Sequence, residues 1–146
     1  MEETIVIIDD KNEILHILNF FTPCLKSLRD RLVDKNSLAD KFYKNGIVIL
    51  ISERDLPKGF AAFYCNDLST HIAYLSMLAV SPNNEGKGYG RKLMKSIINI
   101  SREKEMKILK LEVNKMNHRA ISFYHALGFI NTDENDSSFF MELSVL

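Results

Sequence analysis

The chain has 146 residues, 46% of them apolar and 26% charged, which is one domain's worth of sequence and enough to bury a core. Nineteen basic residues balance nineteen acidic ones, so no broad field draws the protein to nucleic acid or anionic lipid, and neither is expected as a partner. The two cysteines, Cys24 and Cys65, have no metal or redox spacing and read as buried free thiols. No basic leader precedes an apolar segment and no run is long enough to span a bilayer, so the expectation is a cytoplasmic protein with no metal.

In chain order, Thr4–Ile8 is apolar and β-branched, a first strand. Asp9 and Asp10 offer N-caps to a helix over Glu13–Phe21, whose Ile14, Leu15, Ile17, Leu18 and Phe21 form one apolar stripe. Pro23 interrupts; Leu25–Leu32 is helix-like, and Ser37–Tyr43 reads as a short helix that ends near Gly46. Strands follow at Ile47–Ser52 and Gly59–Tyr64, joined by a turn over Arg54–Lys58, then a longer strand at Ala73–Val80. A helix over Tyr89–Lys104, a strand at Ile108–Val113, a helix over His118–Leu127 and two closing strands at Phe129–Thr132 and Phe139–Leu143 complete the chain. The order β-α-α-β-β-β-α-β-α-β-β predicts an α/β fold with a mixed, mostly antiparallel central sheet flanked by helices, in one domain over residues 1–146.

Residues 78–94 carry the strongest signal. The apolar strand stops at Ser81-Pro82, three of the six glycines (Gly86, Gly88, Gly90) follow at alternate positions, and a helix begins. Glycines allow close backbone approach and positive φ, and the first N–H groups of a helix lack intrahelical partners, so strand, glycine loop and helix make an anion cradle. A Walker loop would need Lys followed by Ser or Thr after its last glycine, and Lys87 instead lies between glycines. A dinucleotide fingerprint would need G-x-G-x-x-G; the third glycine comes one residue early, although Glu112 lies at a suitable distance.

Glu85-Gly-Lys-Gly-Tyr-Gly90 resembles the acetyl-CoA-binding loop of the GNAT superfamily of N-acetyltransferases, [Arg/Gln]-x-x-Gly-x-[Gly/Ala]. It matches at Gly88 and Gly90 and departs at its first position, where Glu85 replaces Arg or Gln; Lys87 and Arg91 stand close enough in sequence to offset that charge. A second stretch, Asn117-His-Arg-Ala120 through Tyr124 to Gly128-Phe129, is similar to the family's second motif. Elementary helix chemistry agrees: Asn117 is a good N-cap, Ala120, Ile121, Tyr124 and Leu127 share a helical face, and Gly128 is a stop.

The resemblance, which runs from about Lys58 to the C-terminus, implies a splayed pair of strands at Ala73–Val80 and Ile108–Val113. The pantetheine arm is expected between them, against the backbone of Leu78, Ala79 and Val80, with the pyrophosphate on Glu85, Gly86, Lys87, Gly88, Tyr89, Gly90 and Arg91. It also implies that Asn117 contacts the coenzyme and that Tyr124 is the general acid toward the departing sulfur, with acetyl-CoA as co-substrate and no metal. The activity implied is acetyl transfer to a primary amine of a small-molecule acceptor by direct attack in a ternary complex, where holding both reactants together removes much of the barrier. A non-catalytic acyl-CoA-binding or sensor module is the alternative on the same fold. A homodimer through the C-terminal strands is compatible with the apolar run Ser138–Leu146, as is a buried strand.

No general base is assigned. The strand before the loop, where many relatives place a glutamate, has no acid, only His71, Tyr74 and Ser76; Glu112, His118 and His125 have no nameable partner. Phe20, Phe21, Pro23, Phe42 and Tyr43 are candidates to line an acceptor cleft, although their helical spacing fits core better.

Overall fold

A computed structural model of the chain describes residues 2–25 and 34–146. The helix expected over Leu25–Leu32 lies outside the described residues except for Leu25, which is extended. Seven strands form one sheet in the order β1-β2-β3-β4-β5-β7-β6. They are β1 (Glu3–Ile8), β2 (Ile47–Glu53), β3 (Leu56–Tyr64), β4 (Ile72–Val80), β5 (Ile108–Asn114), β6 (Ile130–Glu134) and β7 (Ser138–Ser144). Every neighbouring pair is antiparallel except β4 and β5.

Two helices, α1 (Lys11–Phe21) and α2 (Lys35–Asn45), precede β2; α3 (Tyr89–Glu103) joins β4 to β5, and α4 (His118–Ala126) joins β5 to β6. Asp10 starts α1 by accepting the amides of Asn12 and Glu13 at 2.9 and 3.0 Å, and Asp34 does the same for α2 through Asn36. The apolar stripe of α1 (Ile14, Ile17, Leu18, Phe21) packs with Phe42 of α2 onto Val48, Phe60 and Ala62 on one face of the sheet. Leu93, Met94 and Ile97 of α3 pack onto Ile49, Ile51, Ala61, Leu109 and Leu111 on the other. Cys65 is buried in this second layer as expected, whereas Cys24 is only half-buried.

The turn between β2 and β3 is shorter than Arg54–Lys58. Only Arg54 and Asp55 lie outside the strands, both in the left-handed region (φ 55° and 62°), and Glu53 already pairs with Leu56. Pro57 reads as a turn residue in sequence but sits inside β3 beside a register shift at Ile51/Ser52, where a missing N–H is tolerated. At the other end of the chain, β7 inserts between β5 and β6, with Met141 and Val145 fully buried. Phe139, Phe140 and Leu143 of the same run are half-buried and Leu146 is exposed.

Candidate active site

The β4–β5 ladder ends early. Ile72 to Leu75 pair in parallel with Ile108 to Leu111; beyond them Ser76–Val80 and Glu112–Asn114 have no mutual pairing. The opposite edge of β4 stays paired with β3 as far as Val80 and Gly59. The free edge of β4 thus presents backbone N–H and C=O groups to a gap in the sheet, the kind of edge an extended amide-bearing ligand pairs with.

A bulge sets which side chains face the gap's two ends. Ala62 pairs with Met77 but Phe63 with Leu75, which leaves Ser76 as the extra residue. Before it, Ala73 and Leu75 point into the α3 layer; after it the parity flips, so Leu78 and Val80 face that layer while Met77 and Ala79 join the α1–α2 layer.

After β4 the chain makes a 3-10 turn at Pro82–Asn84 and enters the glycine loop. Gly86 (φ 78°) and Gly88 (φ 87°) both occupy the left-handed region, and a Cβ on either would meet nothing within 4 Å. Their requirement is conformational. Gly90 is different: it lies inside α3, and a Cβ there would stand 3.2 Å from the Phe123 ring, so its requirement is space for α4. Gly88 caps α3 with no side-chain acceptor, and the first α-helical bond runs from the Lys92 amide to the Gly88 carbonyl at 3.1 Å. The amides of Tyr89, Gly90 and Arg91 therefore point out of the helix start toward the loop.

Two bonds fix that helix start to the sheet edge. The Tyr89 hydroxyl donates to Glu53 at 2.5 Å, and Lys92 reaches Glu3 at 2.6 Å. The shared proton holds Glu53 below the usual carboxylate range and pushes the Tyr89 phenol up.

Across the gap, Asn117 caps α4 by accepting the Ala120 amide at 3.2 Å, which leaves its side-chain NH₂ available. Tyr124, half-buried, stacks edge-on between Phe123 and Phe129 at 5.4 and 5.5 Å. Its hydroxyl meets no hydrogen-bond partner among the described residues, and burial pushes the phenol up to about 12.

These elements enclose a cavity of about 560 Å³ on the α3–α4 side. Of the residues expected to hold a coenzyme, Leu78, Val80, Glu85, Gly86, Gly88, Tyr89, Gly90, Arg91 and Asn117 line it, together with Tyr124. Ala79 and Lys87 do not: Ala79 is buried on the opposite face by the Ser76 bulge, and Lys87 is exposed. Asn84, Arg119 and Phe123 line it without having been singled out in the sequence, and Ala120 of the second motif lines it as well. Arg119 matters most, because it forms an ion pair with Glu85 across the cavity mouth. The signal was present in the sequence as a cation two residues past the Asn117 cap, but its pairing with an acid 34 positions earlier is a product of the fold.

The base candidates scatter. His71 is at the far end of β4, its ring against the Glu105 carbonyl at 3.0 Å, and His125 is held by Asn131 at 2.9 Å. His118 and Glu112 are exposed. Tyr74 and Ser76 lie on the sheet face opposite the cavity, as does Glu112, which alternates with buried Leu111 and Val113. None of the aromatic residues proposed for an acceptor cleft lines either large cavity: Phe21 and Phe42 are core, and Phe20 and Tyr43 are exposed. Among the described residues no three His, Cys, Asp or Glu side chains cluster to hold a metal, and no helix is long and apolar enough to cross a membrane.

The sheet is thus opened between two parallel strands, with a glycine-capped helix at one end of the opening and the half-buried Tyr124 on its wall. Residues 12–129 match the Acetyltransferase (GNAT) family, and the chain belongs to that family. An uncharacterized N-acetyltransferase of Methanocaldococcus jannaschii is 34% identical over 77 residues, a match covering 50% of this chain and 34% of that protein. The chain thus matches about a third of the length of that curated relative.

Among solved structures, a ribosomal-protein alanine N-acetyltransferase from Escherichia coli superposes with a TM-score of 0.81 at 19% identity, covering 99% of this chain and 94% of that one. An acetyltransferase from Salmonella typhimurium, solved with its cofactor acetyl-CoA, gives 0.76 at 21% identity over 99% and 95% of the two chains. An N-acetyltransferase from Thermoplasma acidophilum, in complex with coenzyme A, gives 0.75 at 19% identity over 97% and 99%. These are likenesses of fold.

Proposed function

We propose that the chain is an acetyl-CoA-dependent N-acetyltransferase that moves an acetyl group to the primary amine of a small acceptor by direct attack in a ternary complex. The observation that carries this reading is the gap between β4 and β5, with the glycine-capped start of α3 at its open end and Tyr124 on its wall. Coenzyme A fits the residues present. The outward amides of Tyr89, Gly90 and Arg91 suit a pyrophosphate, the free edge of β4 suits an amide-bearing arm, and the Asn117 side-chain NH₂ is left to donate. The relatives solved with acetyl-CoA or coenzyme A support the same choice. When bound, acetyl-CoA supplies the activated acyl group.

Tyr124 acts as a hydrogen-bond donor to the departing sulfur. With its pKa near 12 and a thiol near 8.5, complete proton transfer is uphill by roughly 3.5 units, or about 5 kcal/mol, so the phenol keeps its proton and stabilises the thiolate by donation. Glu112 is the single carboxylate on β4 and β5, exposed on the sheet face opposite the coenzyme cavity just past the last β4–β5 pair, and we assign it the amine's proton, directly or through water.

Glu85, an acid within the phosphate loop, gives the non-catalytic binder its one argument. The experiment that separates the two readings is free-thiol release from acetyl-CoA by the wild-type chain and by Tyr124→Phe, alongside coenzyme titration of both. Acceptor-dependent thiol release that falls in the variant at unchanged coenzyme affinity supports the enzyme; coenzyme binding with no thiol release for any amine supports the binder.

A further inference from the structure

A second cavity, of about 620 Å³, lies on the opposite face of the sheet, bordered by α2, the β3–β4 turn and the strands at the closed end of the gap. Tyr74 and Ser76 of β4 line it, and Leu78 of β4 lines the coenzyme cavity on the other face. Ser76 and Leu78 are two residues apart, roughly 7 Å along a strand, and the β4–β5 ladder has already ended at Leu75. The two cavities therefore approach each other at the gap from opposite faces, as direct transfer between two bound substrates requires.

The charges around the second cavity decide what it takes. Three lining residues are ionised: Lys41, Lys110 and Asp67. One Asp67 carboxylate oxygen accepts the Ser69 amide at 3.1 Å, the Ser69 hydroxyl at 2.8 Å and the Thr70 amide at 3.1 Å, which anchors Asp67 in the turn between β3 and β4 while its charge stays at the cavity's edge. Lys110 touches Glu142 only at 3.8 Å, and Lys41 forms no ion pair among the described residues; its ammonium stands 5.7 Å over the Tyr64 ring. Two ammonium groups against one turn-bound carboxylate leave the lining net positive, with Ile72 and the Tyr74 ring as apolar wall. A polyamine or a basic peptide tail would meet like charge there.

We propose, resting on the transferase reading above, that this second cavity is the acceptor site and that the acceptor is a small primary amine carrying its own anionic group, held by Lys41 and Lys110 while its amine points past Ser76 into the gap. A carboxylate and a phosphate share the required chemistry.

The test is a matched acceptor panel with acetyl-CoA and the full chain: β-alanine against β-alaninamide, O-phosphoethanolamine against ethanolamine, and spermidine. The expected result is kcat/KM about tenfold or more in favour of each anionic amine over its uncharged-tail partner, the gain of one charge-assisted contact, with spermidine poorest. The carboxylate and phosphate pairs show which group is preferred. In Lys41→Gln and Lys110→Gln that ratio shrinks toward one through KM, while the coenzyme Kd is unchanged. A preference for uncharged-tail amines or spermidine, or a ratio untouched by both lysine variants, overturns the proposal.

If nothing in the panel is acetylated, β-alanine and O-phosphoethanolamine are titrated into the protein with and without coenzyme A and followed by NMR. Shifts at Lys41, Tyr74 and Ser76 support the site, and their absence overturns it. Failure of the transferase reading shows separately, either as no coenzyme binding in the titration or as coenzyme binding with no thiol release for any amine.

Discussion

Glu85→Gln is expected to tighten coenzyme binding. Glu85 lines the cavity in the loop proposed to hold the pyrophosphate, and it pairs with Arg119, a cation of the same lining. Both side chains are well exposed, at 42% and 71%, so their pair is worth no more than about 0.2–1 kcal/mol and costs that much to break. The direct repulsion adds to it: two phosphate charges at roughly 8 Å from a carboxylate in water contribute about 1 kcal/mol. Removing the acid should therefore gain about 1–2 kcal/mol, a Kd lower by roughly 5- to 30-fold.

Isothermal titration with coenzyme A at low ionic strength measures this, and the gain should shrink below about twofold at 1 M salt, where the Debye length is about 3 Å. Arg119→Gln should weaken binding. In that background Glu85→Gln should regain only the direct repulsion, so the two changes are non-additive. Equal or weaker binding by Glu85→Gln at low salt would refute the reasoning and make Glu85 a ligand contact.

Tyr124→Phe should lower kcat by about 10- to 100-fold with the coenzyme Kd within about twofold, as loss of a donor used only on the leaving group requires. Because the phenol ionises near 12, the wild-type rate should show no falling limb from this group between pH 9 and 11, which a pH–rate profile checks. Gly88→Ala places a Cβ in open space but at φ 87°, a cost of about 1–2 kcal/mol and a Tm lower by about 3–6 °C by circular dichroism; Gly88→Asn should recover most of it. Asp67→Ala should destabilise the fold by removing the β3–β4 turn's acceptor. Since that carboxyl is held down to about 2, its contribution is present above the ordinary carboxyl range and lost as pH falls through 2. The gap in Tm between wild type and variant should then be constant at pH 5–7 and close between pH 4 and 2.

The parts of the site legible in the sequence are those whose cause is local. Gly86 and Gly88 announce positive φ, Asn117 announces a cap, and the strand–loop–helix order announces outward amides, all within a few residues of one another. The mixed character of the sheet was legible too, because a helix crosses over between β4 and β5, the one parallel pair.

What was hidden depends on register and on distant pairing. The bulge at Ser76 is fixed by how β3 lies against β4, and it alone decides that Leu78 and Val80, and not Ala79, line the cavity. Pro57 looked like a turn because its neighbours across the sheet are invisible in one dimension. Gly90 looked like a third loop glycine, whereas its reason is the Phe123 ring on another helix. The desolvation of the Tyr124 phenol comes from its burial, which the sequence does not display.

The central claim is that the opening between β4 and β5 receives acetyl-CoA with its phosphates on the start of α3. Isothermal titration of the chain with acetyl-CoA, coenzyme A and NADH tests it most directly. The account predicts one-to-one binding of both coenzyme A species at micromolar strength and none of NADH. Absence of binding by acetyl-CoA and coenzyme A alike, in the wild type and in Glu85→Gln, would contradict it.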